Sequence, residues 1–333
     1  MYIETGAPFQ GEALAKLKIF LQESGLSYEE GIEFSACLYD GTELVATGSL
    51  EGNVFKCIAV RTDRQGEDLT AKVLTELRKE AVRRGHKHLF LFTKPGNIRM
   101  FADFGFYEVA STPEALLMEN RRNGARDYAR TLAEACDGTV AAAVVNCNPF
   151  TLGHCYLIET AASRCDLLHV FVLTEDRSYF PAADRIRLVR EGTEDLPNVR
   201  VHGTGPYMIS AVTFPTYFLK EQAQAGDIAC RLDLEIFAKV FAKEMGISVR
   251  FAGTEPNCLV TAAYNRCMHE LLPPLGVQVC EIPRKEIDGI PVSASLVRTL
   301  IEAGRVEETE GLVPPSTYQY LVERFASGNG HGQ

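Results

Sequence analysis

Basic charge, long apolar runs and paired cysteines are all scarce in this sequence, and each shortage excludes something. The 34 Lys and Arg stand against 44 Asp and Glu, for a formal net charge of -10 at pH 7. Neutralising a nucleic-acid backbone takes clustered cations, so general nucleic-acid binding is excluded. No apolar run approaches the ~20 residues of a membrane helix. The start, Met1-Tyr2-Ile3-Glu4-Thr5-Gly6, lacks the basic and apolar regions of a secretory signal, so a cytoplasmic chain with no membrane partner is expected. Ten cysteines are present but form no C-x-x-C pair, so neither a zinc site nor a disulfide framework has its spacing, and the thiols read as reduced and mostly buried. Repeats and low-complexity tracts are missing too, apart from a Gly-rich tail after Ala326.

What is present is ordinary for a soluble enzyme: 333 residues, 46% hydrophobic and 23% charged, enough chain for two cores. In the first third, Phe34–Tyr39, Glu43–Leu50 and Lys56–Val60 read as an antiparallel meander, with a turn at Asp40-Gly41. Leu69, Val73, Leu74, Leu77 and Ala81 keep the helical period through Asp68–Arg84. After a polar stretch comes Thr139–Val145, apolar throughout, as strands buried on both faces are. Strands and helices then alternate to Ile282, which predicts a doubly wound parallel sheet. The expected organisation is an α+β domain over 1–120, a linker over 121–137, an α/β nucleotide-binding domain over 138–326 and a flexible tail over 327–333.

Two strings carry chemistry. In Asn146-Cys147-Asn148-Pro149-Phe150-Thr151-Leu152-Gly153-His154 a buried strand ends in a turn and a helix begins near Leu152. Strand C-termini in a parallel sheet gather ligands, and a helix start turns free N–H groups and its dipole toward phosphate. Gly153 permits close backbone approach, while His154 and Thr151 offer hydrogen-bond donors. About 140 residues on, Ser293-Ala294-Ser295-Leu296-Val297-Arg298 again opens a helix, with Arg298 one turn from Ser295 and able to turn its fork toward the same anion.

Together the strings resemble the nucleotidyltransferase superfamily, whose motifs are H-x-G-H or T-x-G-H after the first strand and I-S-x-S-x-x-R near the end. Here they read T-L-G-H and V-S-A-S-L-V-R, with Thr151 for the first histidine and Val292 for isoleucine. Asn146–Thr151, Phe214–Lys220, Gly253–Pro256, the Tyr264-Asn265 step and Ile282-Pro283-Arg284 are similar to the citrate lyase ligase family across essentially the whole second domain. The N-terminal third resembles the acetyltransferase-like (GNAT) domain of that family through Ile58–Leu77, Leu89–Thr93 and Asn97–Phe106. It departs at Gln65-Gly66-Glu67-Asp68, where Asp68 replaces a glycine of the coenzyme A pyrophosphate loop. Two acidic side chains at a helix start repel a pyrophosphate, so no acetyl transfer is expected from this domain.

The resemblance implies a reaction in which ATP, acetate and the thiol of the citrate lyase acyl carrier protein give AMP, pyrophosphate and acetylated carrier. It implies catalytic roles for His154, Thr151 and Arg298, with Mg²⁺ bridging the phosphates and no resident metal site. Nucleotide contacts are implied for Asn148, Pro149, Phe150, Gly153, Gly253, Glu255, Ser293, Ser295 and Lys220. Lys220 reads equally as a surface lysine, and Arg185, on an amphipathic helix, as solvated or paired. Cys147 and Cys155 read as inert buried thiols, and Asp233 and Glu235 as complements to a helix dipole. Two other readings stay open: a pantetheine-phosphate or nicotinamide-mononucleotide type adenylyltransferase, and a non-catalytic ATP-sensing protein that binds a carrier.

Overall fold

The computed structural model describes residues 1–174, 178–208, 217–219, 225–255 and 259–325. Lys220, most of the helix expected near 215–223 and the tail over 327–333 lie outside the described residues. The described residues form two compact units, one from Met1–Asp127 with Ile209–Glu235, the other from Tyr128–Met208 with Ile236–Gln333. No helix among them is long and apolar enough to cross a membrane.

The first unit is built on β1 (Tyr2–Gly6), β2 (Phe34–Asp40), β3 (Glu43–Glu51), β4 (Val54–Val60), β5 (Phe90–Thr93), β6 (Tyr107–Ser111) and β7 (Leu116–Glu119). They form one sheet in the order β1-β2-β3-β4-β5-β7-β6, antiparallel except between β4 and β5. Helices α1 (Gly11–Glu23), α2 (Leu69–Arg83) and α3 (Ile98–Ala102) complete it. The periodic face of α2 is buried with Phe55, Leu91 and Met118, and Gly48 makes room for it, since a Cβ there would meet Val73 at 2.6 Å. β4 and β5 pair only at Val54–Phe90 and Phe55–Leu91. Beside the strands lies a cavity of about 1130 Å³, lined among others by Ile58, Val60, Phe92, Tyr217 and the Arg61–Asp68 loop. β1, α1 and β7 have no counterpart in the sequence reading. α4 (Gly124–Leu132) follows, at the amphipathic run.

The second unit holds β8 (Val140–Val145), β9 (Leu167–Val172), β10 (Val199–Gly203), β11 (Ile247–Gly253) and β12 (Gln278–Ile282), all parallel, in the order β10-β9-β8-β11-β12. α5 (Leu152–Ala162) and α6 (Ala182–Glu191) cover one face, packing Ile158, Leu188 and Val189 on Ala141, Ala143, Leu168 and Val170. α7 (Ala225–Ile236), which belongs to the first unit up to Glu235, leads into the second unit's π-helical turn, Phe237–Ala242, and α8 (Lys243–Met245); Phe241 meets Phe171 edge-on at 5.7 Å on the other face. α9 (Leu259–Leu271), the short ribbon β13 (Glu286–Ile287) and β14 (Ile290–Pro291), α10 (Ala294–Glu302) and α11 (Pro315–Phe325) follow. An α+β unit before a doubly wound parallel sheet is the class the sequence predicts. The strand order reverses between β8 and β11, and in such sheets the ligand crevice lies at the C-terminal ends of the strands flanking the reversal.

Candidate active site

β8 delivers the chain to that crevice, and the turn after it is tightly held. Cys147 is fully buried with φ 51°, the left-handed region. The Asn148 side-chain oxygen accepts from the Phe180 N–H at 3.0 Å, and its backbone carbonyl accepts from Arg298 Nη1. Beneath the turn, Arg185 is fully buried and donates to Phe180 O at 3.0 Å and to the backbone and side-chain oxygens of Asn146, both at 2.8 Å. A helical arginine was expected in solvent or in an ordinary pair. Its place on the buried face with Leu188 and Val189, three and four residues on, is the signal that could have found it.

α5 starts at Thr151, the N-cap, with His154 as its third helical residue. Thr151 is 1% exposed, and its backbone N–H donates to His154 Nδ1 at 3.1 Å. Nδ1 is therefore an acceptor, and in the neutral ring the proton sits on Nε2, a donor with no partner among the described residues. The Thr151 hydroxyl lies 2.9 Å from the same Nδ1, so it steadies the ring rather than facing outward. Phe150, also fully buried, stacks on the imidazole at 6.0 Å and 19°; it is a wall of the core beneath His154. Burial of the ring and the nearby Arg284 cation lower the His154 pKa to about 4, so the side chain is neutral at physiological pH.

The second string meets the first. A Cβ on Gly153 would come within 2.9 Å of the Val292 carbonyl oxygen, so the absent side chain lets α5 lie against the lead-in to α10. Ser293 caps α10, its Oγ accepting from Leu296 N–H at 3.2 Å. Arg298 donates Nη2 to Ser295 Oγ at 3.1 Å while its Nη1 reaches Asn148, tying the later helix to the earlier turn. Ser295 is exposed.

A third segment closes in from β11 and β12. The Gly253 carbonyl accepts from Asn265 Nδ2 at 3.0 Å, and Thr254 N–H donates to Ile282 O at 2.9 Å. Arg284 donates Nε to Thr254 O at 3.0 Å and Nη2 to Glu255, whose side chain is 7% exposed. Glu255 thus bears on His154 through Arg284. Burial pushes the thiols up, Cys155 to about 12 and Cys147 well above its ordinary value, as inert cysteines require.

The family profile described as "Citrate lyase ligase C-terminal domain" matches residues 140–321, more than half of the chain and all three segments of the site. The chain belongs to the citrate lyase ligase family. It is 42% identical over 311 residues to the [Citrate [pro-3S]-lyase] ligase of Klebsiella pneumoniae, covering 91% of each chain. With the protein of that name from Escherichia coli (strain K12) it shares 38% over 322 residues, 94% of this chain and 91% of the relative. A phosphopantetheine adenylyltransferase from Symbiobacterium thermophilum is 30% identical over 183 residues, 91% of that chain but 54% of this one. The citrate lyase ligases thus match nearly the whole chain, and the adenylyltransferase about half of it.

Proposed function

We propose that the chain is an ATP-dependent ligase, acting in the cytoplasm, that activates acetate as acetyl adenylate and acetylates the thiol of the citrate lyase acyl carrier protein. The observation that carries this reading is the convergence of Thr151–His154 and Val292–Arg298 at the switch point of the sheet. The match over more than nine tenths of the chain to proteins named [Citrate [pro-3S]-lyase] ligase supports the ligase over the simple adenylyltransferase.

In the first step an acetate oxygen forms a bond to the α-phosphorus, the bond to the β-phosphate bridging oxygen breaks, and pyrophosphate leaves with that electron pair. A carboxylate is already a nucleophile, so alignment and charge stabilisation are required and a general base is not. His154 donates from Nε2 to the departing phosphates, Thr151 fixes the ring, and Arg298 with Ser293 and Ser295 holds the β and γ groups. Gly253 and Asn148 shape the backbone around the nucleotide. The carrier thiolate then attacks the acetyl carbonyl and AMP departs. Among the described residues no group of three or more His, Cys, Asp or Glu side chains is placed to hold a metal ion. Mg²⁺ would come with the triphosphate, and no step above depends on its position.

The test is ATP–pyrophosphate exchange triggered by acetate and, separately, by phosphopantetheine or nicotinamide mononucleotide. Acetate-dependent exchange is expected. Exchange only with a phosphate acceptor would replace this reading with an adenylyltransferase, and nucleotide binding without exchange would replace it with a sensor.

A further inference from the structure

Asn146 directly follows β8, at the C-terminal edge of the sheet beside the switch point, and it is exposed. Its side chain is nevertheless fixed. Arg185 Nη1 lies 2.8 Å from both the backbone oxygen and the side-chain Oδ1 of Asn146. A guanidinium has donors only, so the atom it meets must be oxygen, and flipping the amide would set donor against donor. Ser178 Oγ adds a longer approach to Oδ1 at 3.4 Å. Arg185 is itself immobilised by full burial and by Phe180 O at 3.0 Å. Asn146 Nδ2, with its two N–H groups, has no partner among the described residues.

A buried arginine that clamps an exposed asparagine by its oxygen presents the amide nitrogen in one direction. We infer that the Asn146 amide orients an anionic oxygen of the reacting pair, acetate carboxylate or α-phosphate, and that Arg185 is the positioning residue that aims it. The inference rests on the ligase reading above and extends it to two residues with no role there. A neutral amide suits the task. It binds an anionic oxygen by hydrogen bonding without neutralising the nucleophile as a paired cation would, and it has no proton to give up at working pH. The step needs none, because the carboxylate oxygen attacks phosphorus and pyrophosphate leaves with no proton transferred.

Two variants separate aiming from scaffolding. Asn146→Asp keeps an oxygen for Arg185 and improves that bond to a charge-assisted one, while deleting the donors. Asn146→Ala deletes the donors without adding a charge. Acetate-dependent ATP–pyrophosphate exchange is expected to fall about 10²-fold in both, the size of losing one aligned donor, with the Asp variant melting no lower than wild type. A raised KM for acetate at unchanged affinity for a non-hydrolysable ATP analogue assigns the amide to the carboxylate; weakened analogue binding assigns it to the α-phosphate. Wild-type exchange in the Ala variant overturns the inference, as does a loss confined to the Asp variant, which is charge repulsion. Absence of acetate-dependent exchange in the wild-type chain would overturn the ligase reading and this inference with it, whereas undiminished variants beside an active wild type overturn the inference alone.

Discussion

The carbonyl oxygen of Val292 stands 2.9 Å from the point where Gly153 would carry a Cβ. The glycine of one phosphate-motif string is therefore a packing requirement of the other. Real Cβ atoms essentially never sit so close to a backbone oxygen, so any side chain at 153 must push the two strings apart.

Gly153→Ala is the mildest such wedge. Overpacking of this kind costs about 1–3 kcal/mol, and because a shift of ~1 Å in a reacting geometry can cost on the order of 10²-fold in rate, activity is expected to fall by more than stability suggests. Exchange kinetics and thermal melting on one preparation check this. A variant with wild-type exchange would show that the strings need not touch.

His154 is neutral in the fold, and its donor role depends on that tautomer. His154→Ala should lower adenylate formation by about 10²–10³ and weaken the start of α5 by about 1 kcal/mol through loss of the cap. Arg284 contributes to holding the imidazole near 4, after burial itself. Arg284→Gln should raise the His154 pKa toward 6.5 and move the acidic limb of the exchange profile to higher pH. An NMR titration of the His154 ring in the two proteins checks the shift, and an unmoved pKa would remove Arg284 from the electrostatics of the site.

Three histidines of the second unit share this condition. His169 and His202 meet at 2.9 Å between β9 and β10, and burial lowers each to about 4, as it does His154. A group at about 4 folded and 6.5 unfolded binds fewer protons in the fold between those values, so its contribution is whole above 6.5 and lost as pH falls through 4. The sum of such terms, at most about 3 kcal/mol for one histidine, predicts a steep fall in urea stability from pH 7 to pH 4.5. His169→Phe should flatten that slope. A wild-type stability unchanged over this range would contradict the buried, neutral state.

The parallel sheet was legible because β8 is apolar throughout and because Thr151-Leu152-Gly153-His154 follows it at a strand end, where backbone geometry and chemistry speak together. The helix at Ser293 was legible from its cap. What the sequence hid is what depends on partners far along the chain. Arg185 and Asn146 are 39 residues apart, and nothing local tells a buried fork from a solvated one. Phe150 read as a nucleotide contact because it lies inside the motif, whereas the fold uses it to back His154. β7 was missed because Leu116–Glu119, fully buried, is short and borders a polar stretch.

The loop that leads into α2 bears on acetyl transfer. Arg64 gives Nε and Nη2 to Glu67 at 2.7 and 2.9 Å and Nη1 to Asp40 at 3.1 Å. Arg61 gives two bonds to Asp63, at 2.8 and 2.5 Å, and pairs with Glu43. Arg64 in turn holds the Glu67 carboxyl below its ordinary value. Asp68, just ahead of α2 with φ 54°, adds another acid where a coenzyme A pyrophosphate would need free N–H groups and positive potential. Of the three cations that line the cavity, Arg61 and Arg64 on this loop are thus engaged by carboxylates and Lys94 lies apart from it, so an anion at the loop would have to displace Glu67, Asp40 or Asp63. The wild-type chain is expected to release no coenzyme A from acetyl-CoA in the presence of an amine, measured by thiol appearance. Asp68→Gly should relieve the left-handed backbone by about 0.5–1 kcal/mol yet leave acetyl transfer absent, because Glu67 and Asp40 still occupy Arg64. Thiol release by the wild-type chain would refute the electrostatic argument, and release gained by Asp68→Gly alone would place the whole block on Asp68.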